Sequence, residues 1–540
     1  MSKQFNNNRS EKLIPASPHS TQNPMSQKDK SLPEQHFDET KKLLKSISPE
    51  RIAKWFLEQG YYPEQYVLPP CFKVKKFELH KEPFFQVKTK NDRENYNPTR
   101  SELLKISYPK SQLTDRTFSI IDPKIYHDIV WNLKNSWQKI IEKLFPEELS
   151  IFSYSLPIPI SKKEKGSLGS LRSGRMIYEF LEMAENDLLT EAHEYKFIIK
   201  TDIKNFYPSV YTHSIGWAIH TKKESRENRN KFNNFVGHKL DKLFQNANDG
   251  CTNGIPIGPA VSDLISEIIL RRVDNETSKL LSHKKINFLG VRFKDDYRFL
   301  CQKKDDASSI IQTLQEVARE HHLLLSEDKT IIEELPEGIF RQWTIEYAPH
   351  SLKHKKKINY KQFENTIRIV FEIYKKHKNI GIFEKFFSEL TNKDQQLKLK
   401  FSEKNYRKAI SLMLIAREKR KRVFPSILAI FENLIKNEEN KKIKTYIKNI
   451  LHNEFKEKSK QPDKYKYDLI WIAYFAKSTR LFPLKELKDW NEPLFQGIYK
   501  DNFQFPKNNE KEIQLFTKLS KSATILEHLS IFNKKEQKKE

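Results

Sequence analysis

Cysteine is scarce in this chain, which holds only Cys71, Cys251 and Cys301 among 540 residues. Three thiols, odd in number, far apart and without ligand spacing, argue against a disulfide framework and against a cysteine zinc site. They fit a reducing cytoplasm. Long apolar runs are also missing: no segment approaches the ~20 residues that span a bilayer. The opening MSKQFNNNRSEK has no apolar core of a secretion signal. Acidic residues fall short of basic ones, 70 Asp+Glu against 97 Lys+Arg, and the formal net charge is +27. A surplus of that sign is expected for a protein that binds a phosphate backbone, although a lysine-rich coding bias accounts for part of it.

The length suggests roughly three or four units at ~150 residues each. Residues 1–36, rich in Ser, Asn, Gln, Pro and Lys, read as a tail with too little apolar surface to fold alone. Helical spacing starts near Asp38, and TKKLLKSISPERIAKWFLEQG stops at Gly60. The prolines of YYPEQYVLPPCF then disfavour a helix. Residues 101–195 mix extended and helical segments, and SYPKSQLTDRTFSIIDPKIYHDIVWNLKNSWQKII reads as a basic strand-and-turn stretch followed by an amphipathic helix. Residues 196–340 give strand, helix, helix, hairpin, helix and strand. From 341 to 530 the chain predicts successive amphipathic helices without a strict repeat. Within this part, residues 351–460 hold 29 Lys+Arg against 12 Asp+Glu, a net of +17. Residues 531–540 read as a frayed tail.

The chemistry concentrates in three short stretches. In EYKFIIKTDIKNFYP, the β-prone run Phe197, Ile198 and Ile199 leads to Asp202, a carboxylate at a strand end. In INFLGVRFKDDYRFLCQ, two β-prone runs flank Lys294-Asp295-Asp296, the pattern of a hairpin. Strand alternation predicts that Asp295 and Asp296 face opposite sides, so that one of them carries more of the chemistry. Between them, CTNGIPIGPAVSDLISEI opens on turns and continues with Val261, Leu264, Ile265, Ile268 and Ile269 on one helix face. Gly254 and Gly258 would let the backbone approach a base or sugar closely. Phosphoryl transfer to a growing strand needs little covalent help from protein; two divalent ions held by carboxylates of different strands supply most of it. An isolated Asp-Asp between strands is ordinarily a solvated turn, so the order of the stretches matters more than any one of them.

TDIKNFYPSVYTHSI, GIPIGPAVSDLISEI and FKDDYRFL, in that order, resemble motifs A, B and C of reverse transcriptases, over roughly residues 100–340. The style is that of bacterial abortive-infection and defence-associated members. Ile257 stands where most reverse transcriptases have Gln, as in the abortive-infection group. The resemblance implies an α+β fold: a right-hand polymerase with fingers within 37–195, a palm over 196–340, and an α-helical, often HEAT-like, C-terminal domain over 341–530. It implies that Asp202 and Asp295 ligate two Mg2+ ions, or Mn2+ in their place, with the Ile203 carbonyl assisting and Asp296 supporting. Tyr207 matches the aromatic that crowds a ribose 2′-hydroxyl and favours dNTPs. Gly258 falls in the nucleotide-binding turn, Lys329 matches the motif D general acid, and Arg172 and Arg175 would clamp the triphosphate. Lys162, Lys163 and Lys165 are alternatives for that clamp.

The expected activity is RNA-directed DNA polymerisation in anti-phage defence, with some members of this group primed by a protein side chain or working without ordinary template. Expected partners are RNA and DNA, dNTPs and further copies of the chain. GYYPEQYVLPPCF and YKYDLIWIAYFAKS resemble the larger polymerase subunit of class 3 defence systems, which implies a small non-coding RNA and a second reverse transcriptase. Two other classes stay open: an RNA polymerase on the same palm, and a nucleic-acid-binding scaffold with a relic palm.

Overall fold

The structure, a computed structural model, describes residues 30–111, 114–158, 174–378, 380–392, 394, 396–436, 441–507, 510–522 and 525, with only the backbone described for 174–182. Most of the expected N-terminal tail, the frayed 531–540 segment, Lys162, Lys163, Lys165 and Arg172 lie outside the described residues, as does the side chain of Arg175.

The first helix, Leu32–Lys45, begins six residues before the expected start at Asp38, so the end of the supposed tail is helical. Its signal is local: the Ser31 hydroxyl accepts the Glu34 N–H at 3.4 Å, and Pro33 lies in the first turn. The single helical pattern also divides. A second helix, Pro49–Gln59, starts where Ser48 caps the Arg51 N–H at 3.3 Å, and it ends at Gly60 as expected.

Among the described residues there are nine strands: β1 (Lys88–Lys90), β2 (Arg93–Asn95), β3 (Leu104–Pro109), β4 (Asp115–Ile120), β5 (Ile151–Ser153), β6 (Phe197–Asp202), β7 (Phe288–Phe293), β8 (Asp296–Cys301) and β9 (Ile331–Glu334). The hairpins β1–β2 and β3–β4 form two separate two-stranded sheets. The palm is a five-stranded sheet in the order β5-β7-β8-β6-β9. Only β5–β7 is parallel. The register sets Asp202 opposite Asp296 and Phe293 opposite Asp296. The helices Ala260–His283 and Lys304–Glu320 pack together and against this sheet. Val261, Leu264, Ile265, Ile268 and Ile269, the predicted apolar face, are all buried. More helix lies between β6 and the hairpin than the sequence pattern indicated, with His213–His220, Lys222–Glu227 and Val236–Ala247 in addition to Ala260–His283.

The C-terminal part is α-helical, with Tyr360–His377, Glu403–Lys419, Phe424–Lys436, Lys441–Lys458 and Lys466–Ser478 as its longer members. Buried Arg417 ties three of these together, bonding Glu454 at 2.6 and 2.9 Å and Asp468 at 2.8 Å. The chain then returns to its beginning. Lys75 N–H donates to the Gln514 carbonyl and Gln514 N–H to the Lys76 carbonyl, both at 2.8 Å, and Thr517 N–H donates to the Cys71 carbonyl at 2.9 Å. Phe72 packs edge-on against Phe503 and Phe516, with ring centroids 5.4 Å apart in each case. The Tyr62 hydroxyl donates to the Leu515 carbonyl.

Candidate active site

The end of β6 and the β7–β8 turn bring Asp202, Asp295 and Asp296 to the wall of one cleft of about 730 Å³. The expectation that Asp296 faces away from Asp295 is corrected. Alternation holds along a strand, but Asp295 lies in the two-residue turn Lys294-Asp295, outside β8, so both carboxylates reach the same cleft. Lys294 has a left-handed backbone, φ +52°, which the turn requires and which a non-glycine residue adopts at a cost. Main-chain bonds lock the carboxylate-bearing loops together: Ile203 N–H donates to the Asp295 carbonyl at 3.1 Å and Ser326 N–H to the Asp202 carbonyl at 2.7 Å.

What holds that turn lies beneath it. Arg292 is fully buried, as are Glu267, Arg271 and Asp274. Arg292 donates to both Asp274 oxygens at 2.8–3.1 Å, to both Glu267 oxygens at 3.0 Å, and to the Lys294 carbonyl at 2.9 Å. Two guanidiniums face two carboxylates, so the cluster is neutral overall. Burial opposes charge on Glu267, but Arg292 and Arg271 outweigh it and hold the carboxyl at about 2. At Asp274 burial outweighs the same cations and raises the pKa; three Arg292 contacts and the Tyr297 hydroxyl at 2.9 Å nevertheless all donate to it, which favours the ionised form.

The three cleft aspartates crowd one another. Burial, then repulsion by Asp295 and Asp202, pushes Asp296 up to about 6, even though its side chain opens on to the cleft. Asp295 is raised too, chiefly by burial and with a contribution from Asp202. The Lys329 ammonium bonds Asp202 directly. Burial works against the Lys329 charge, but that bond and the pull of all three carboxylates raise its pKa. Among the described residues no three His, Cys, Asp or Glu side chains are gathered closely enough to hold a metal ion between them. The donor set here is nevertheless hard carboxylate oxygen, which suits Mg2+ or Mn2+.

Tyr207 follows Asp202 on the turn Phe206–Ser209 and lines the cleft. It is buried, and its hydroxyl donates to Asp263 near the start of the helix Ala260–His283. Asp263 also lies 3.7 Å from Lys294, which in turn lies 3.5 Å from Glu64. Gly258 has φ +123°, and a Cβ there would stand 2.9 Å from Pro63 Cγ and 3.3 Å from Phe118 Cδ1. What crowds this glycine is therefore protein, and Ser119 N–H donates to the adjoining Ile257 carbonyl at 2.8 Å.

Several cleft residues were not singled out from sequence. Glu64 and Tyr66 come from the proline-rich N-terminal loop, Lys110 and Arg116 from the β3–β4 hairpin, and Glu384 and Arg422 from the helical C-terminal part. The only signal for Arg116 was its place in a basic strand-and-turn stretch, and the only one for Arg422 the strongly basic 351–460 region.

With this geometry in place, comparison with known proteins decides the type of domain. Residues 133–361 match the family described as reverse transcriptase (RNA-dependent DNA polymerase). The chain carries a reverse transcriptase domain. No curated protein sequence matches the chain. Among solved structures, a Candida tropicalis telomerase truncated from its C-terminal domain is 15% identical at a TM-score of 0.30, with 44% of this chain and 51% of that chain covered. The apo telomerase of Candida tropicalis is 11% identical at 0.32, covering 74% and 69%. Candida albicans telomerase, solved with a fragment of telomeric RNA, is 13% identical at 0.27, covering 72% and 66%. The chain thus spans about half the length of the first of these, and TM-scores this low assign no function. The reverse transcriptase palm and fingers with a helical C-terminal part are the architecture expected from sequence.

Proposed function

We propose that this chain is an RNA-directed DNA polymerase that extends a strand with dNTPs at the cleft of Asp202, Asp295 and Asp296. The observation that carries the reading is the meeting of these three carboxylates in one cleft of a reverse transcriptase domain. Asp202 and Asp295, with the Ile203 carbonyl and with Asp296 in support, would hold two Mg2+ or Mn2+ ions. Such ions, when bound, supply Lewis-acid activation of the 3′-hydroxyl and neutralise charge on the departing pyrophosphate.

The protein's own groups do the rest. Tyr207, fixed by Asp263, fills the space beside the sugar and disfavours a 2′-hydroxyl. This argues for dNTPs over the RNA polymerase reading. Lys329, with its raised pKa, keeps a proton at Nζ at neutral pH and can give it to pyrophosphate once the incoming charge competes for Asp202. Arg116, exposed on β4 and close enough to stabilise the Asp295 carboxylate, is a further arginine for the triphosphate clamp beside Arg172 and Arg175. Gly258 keeps the motif B turn close under the fingers hairpin.

Purified full-length protein should incorporate dNTPs with Mg2+. Asp295→Asn with Asp296→Asn should lower the rate on the order of a thousandfold. Undiminished incorporation by that variant would overturn the reading, and absence of incorporation by wild type under every primer condition would favour the relic scaffold.

We place the enzyme, on the strength of motifs A to C, among abortive-infection and defence-associated reverse transcriptases, acting against phage. A non-coding RNA, a second reverse transcriptase and self-assembly are the partners that this placement brings. Three unpaired cysteines suit a cytoplasmic site, and no helix among the described residues is long and apolar enough to cross a membrane. Sequencing the nucleic acid that co-purifies, with and without proteinase treatment, tests both the product and priming from a side chain.

A further inference from the structure

The helical C-terminal part does not stand apart from the polymerase. Glu384, Arg422, Pro425 and Ser426 line the same cleft as the three aspartates. Arg422 sits in the short turn Lys421–Val423 that leads into the helix Phe424–Lys436. Its Nε donates to Glu384 Oε1 at 2.6 Å. Arg420 Nε donates to the same oxygen at 2.9 Å. Glu384 and Arg420 are buried, while the Arg422 side chain is 30% exposed.

Arg420 and Arg422 share one oxygen of the buried Glu384 carboxylate. Arg422 is the arginine of the two that reaches the cleft wall. The carboxylate fixes its Nε, which orients the guanidinium and removes much of the rotamer freedom that a surface arginine must lose on binding. Arg116 on β4 lines the same cleft. Burial, then Glu64 and Tyr108, raise the pKa of Tyr66, and both Arg422 and Arg116 are near enough to pull against that rise. Two arginines, from opposite ends of the chain, thus converge on one region of the cleft.

We propose that Arg422, oriented by Glu384, is an anion-binding residue of the polymerase cleft and takes a phosphate group of nucleotide or nucleic acid. The ligand chemistry is a phosphate oxygen, recognised by a planar guanidinium fork. Its source is either the triphosphate of the incoming dNTP or a backbone phosphate of the bound strand. Glu384 is a positioning residue. This proposal rests on the polymerase reading for its ligand, but its binding tests do not require turnover.

The test uses full-length protein with Arg422→Gln and Arg422→Lys. Three quantities are compared with wild type: the affinity for inorganic tripolyphosphate, the affinity for a single-stranded oligodeoxynucleotide as a function of salt, and KM and kcat for dNTPs. Arg422→Gln should weaken at least one phosphate probe about tenfold, as loss of one charged hydrogen-bonding group does. Arg422→Lys, which keeps the charge beside Glu384 and loses the fork, should fall between. Weaker tripolyphosphate binding with a raised KM and unchanged oligonucleotide affinity identifies the nucleotide as the source. Weaker oligonucleotide binding, with a salt slope reduced by about one, identifies the strand. Wild-type affinity of Arg422→Gln for both probes overturns the proposal. A wild-type protein that binds both probes and never incorporates dNTPs overturns the polymerase reading instead, and the binding comparison still decides the role of Arg422.

Discussion

Arg292→Met should be among the most damaging single substitutions in the palm. The guanidinium makes five contacts with Glu267 and Asp274 at 2.8–3.1 Å, and one with the Lys294 carbonyl at 2.9 Å. Methionine matches its length but supplies none of these. Two carboxylates would then share only Arg271 in a site closed to water. Removing one partner of a buried ion pair costs about 3–5 kcal/mol, far more than the loss of an exposed pair. For a unit the size of the palm this lowers the melting temperature on the order of 10 °C. The effect should also be local. The positive-φ turn at Lys294 loses the bond that fixes its carbonyl, so amide exchange at Lys294–Asp296 should accelerate more than exchange in the helix Lys304–Glu320. Incorporation should fall at temperatures where the fold persists, because Asp295 is no longer held. Adding Glu267→Gln and Asp274→Asn should restore much of the stability by removing the uncompensated charge, though not the turn geometry. A melting temperature within about 2 °C of wild type, with unchanged exchange at the hairpin, would refute the reasoning.

Other expectations follow from the same cleft and from the helices behind it. The Asp296 carboxyl, raised to about 6, binds its proton more tightly in the folded state than in the unfolded one. Metal-free protein therefore loses stability from this group as pH rises toward 6, while activity falls as pH drops through about 6. Thermal shifts by Mg2+ should accordingly be larger at pH 7.5 than at pH 5.5, and equal shifts would contradict the assignment. Tyr207→Ala should raise use of rNTPs relative to dNTPs about tenfold or more in single-nucleotide incorporation. Tyr207→Phe should keep discrimination and lose about 1–3 kcal/mol of stability with the Asp263 bond. Arg417→Met, which breaks the Glu454 and Asp468 pairs, should destabilise the helical part by about 3–5 kcal/mol in denaturant titration. Gly258→Ala, strained by its φ and by Pro63, should cost about 1–3 kcal/mol and reduce incorporation.

The three aspartates could be read from sequence because each carries its own local signal: an apolar run ending in Asp, or an Asp pair between two β-prone runs. Motif B was legible for the same reason, as a turn followed by one apolar helix face. The facing of Asp296 was misread because strand alternation was carried through a turn, where it does not hold. Arg292 stayed hidden because an arginine in a strand reads as its solvent-facing member, yet every residue of β7 is buried. Arg116, Glu384 and Arg422 have no local mark that separates them from other charged residues in a chain this rich in charge. Only the packing of the helical part on the fingers selects them. The early start of the first helix, by contrast, was available in Ser31-Leu32-Pro33-Glu34, a capping pattern.

The return of residues 503–517 to the neighbourhood of Tyr62, Cys71 and Phe72 has a consequence for how the chain is made. A ribosome delivers residues 61–77 early, but the strand partner and the two phenylalanines that complete their packing emerge after the whole palm has been synthesised. Until then this N-terminal layer, which also carries Glu64 and Tyr66 on the cleft wall, is missing its outer cover. Palm and fingers helices can form in order of synthesis, since their contacts are nearer in sequence. Completion of this N-terminal layer cannot. Residues 61–77 therefore keep part of their apolar surface uncovered until the last part of the chain has been made.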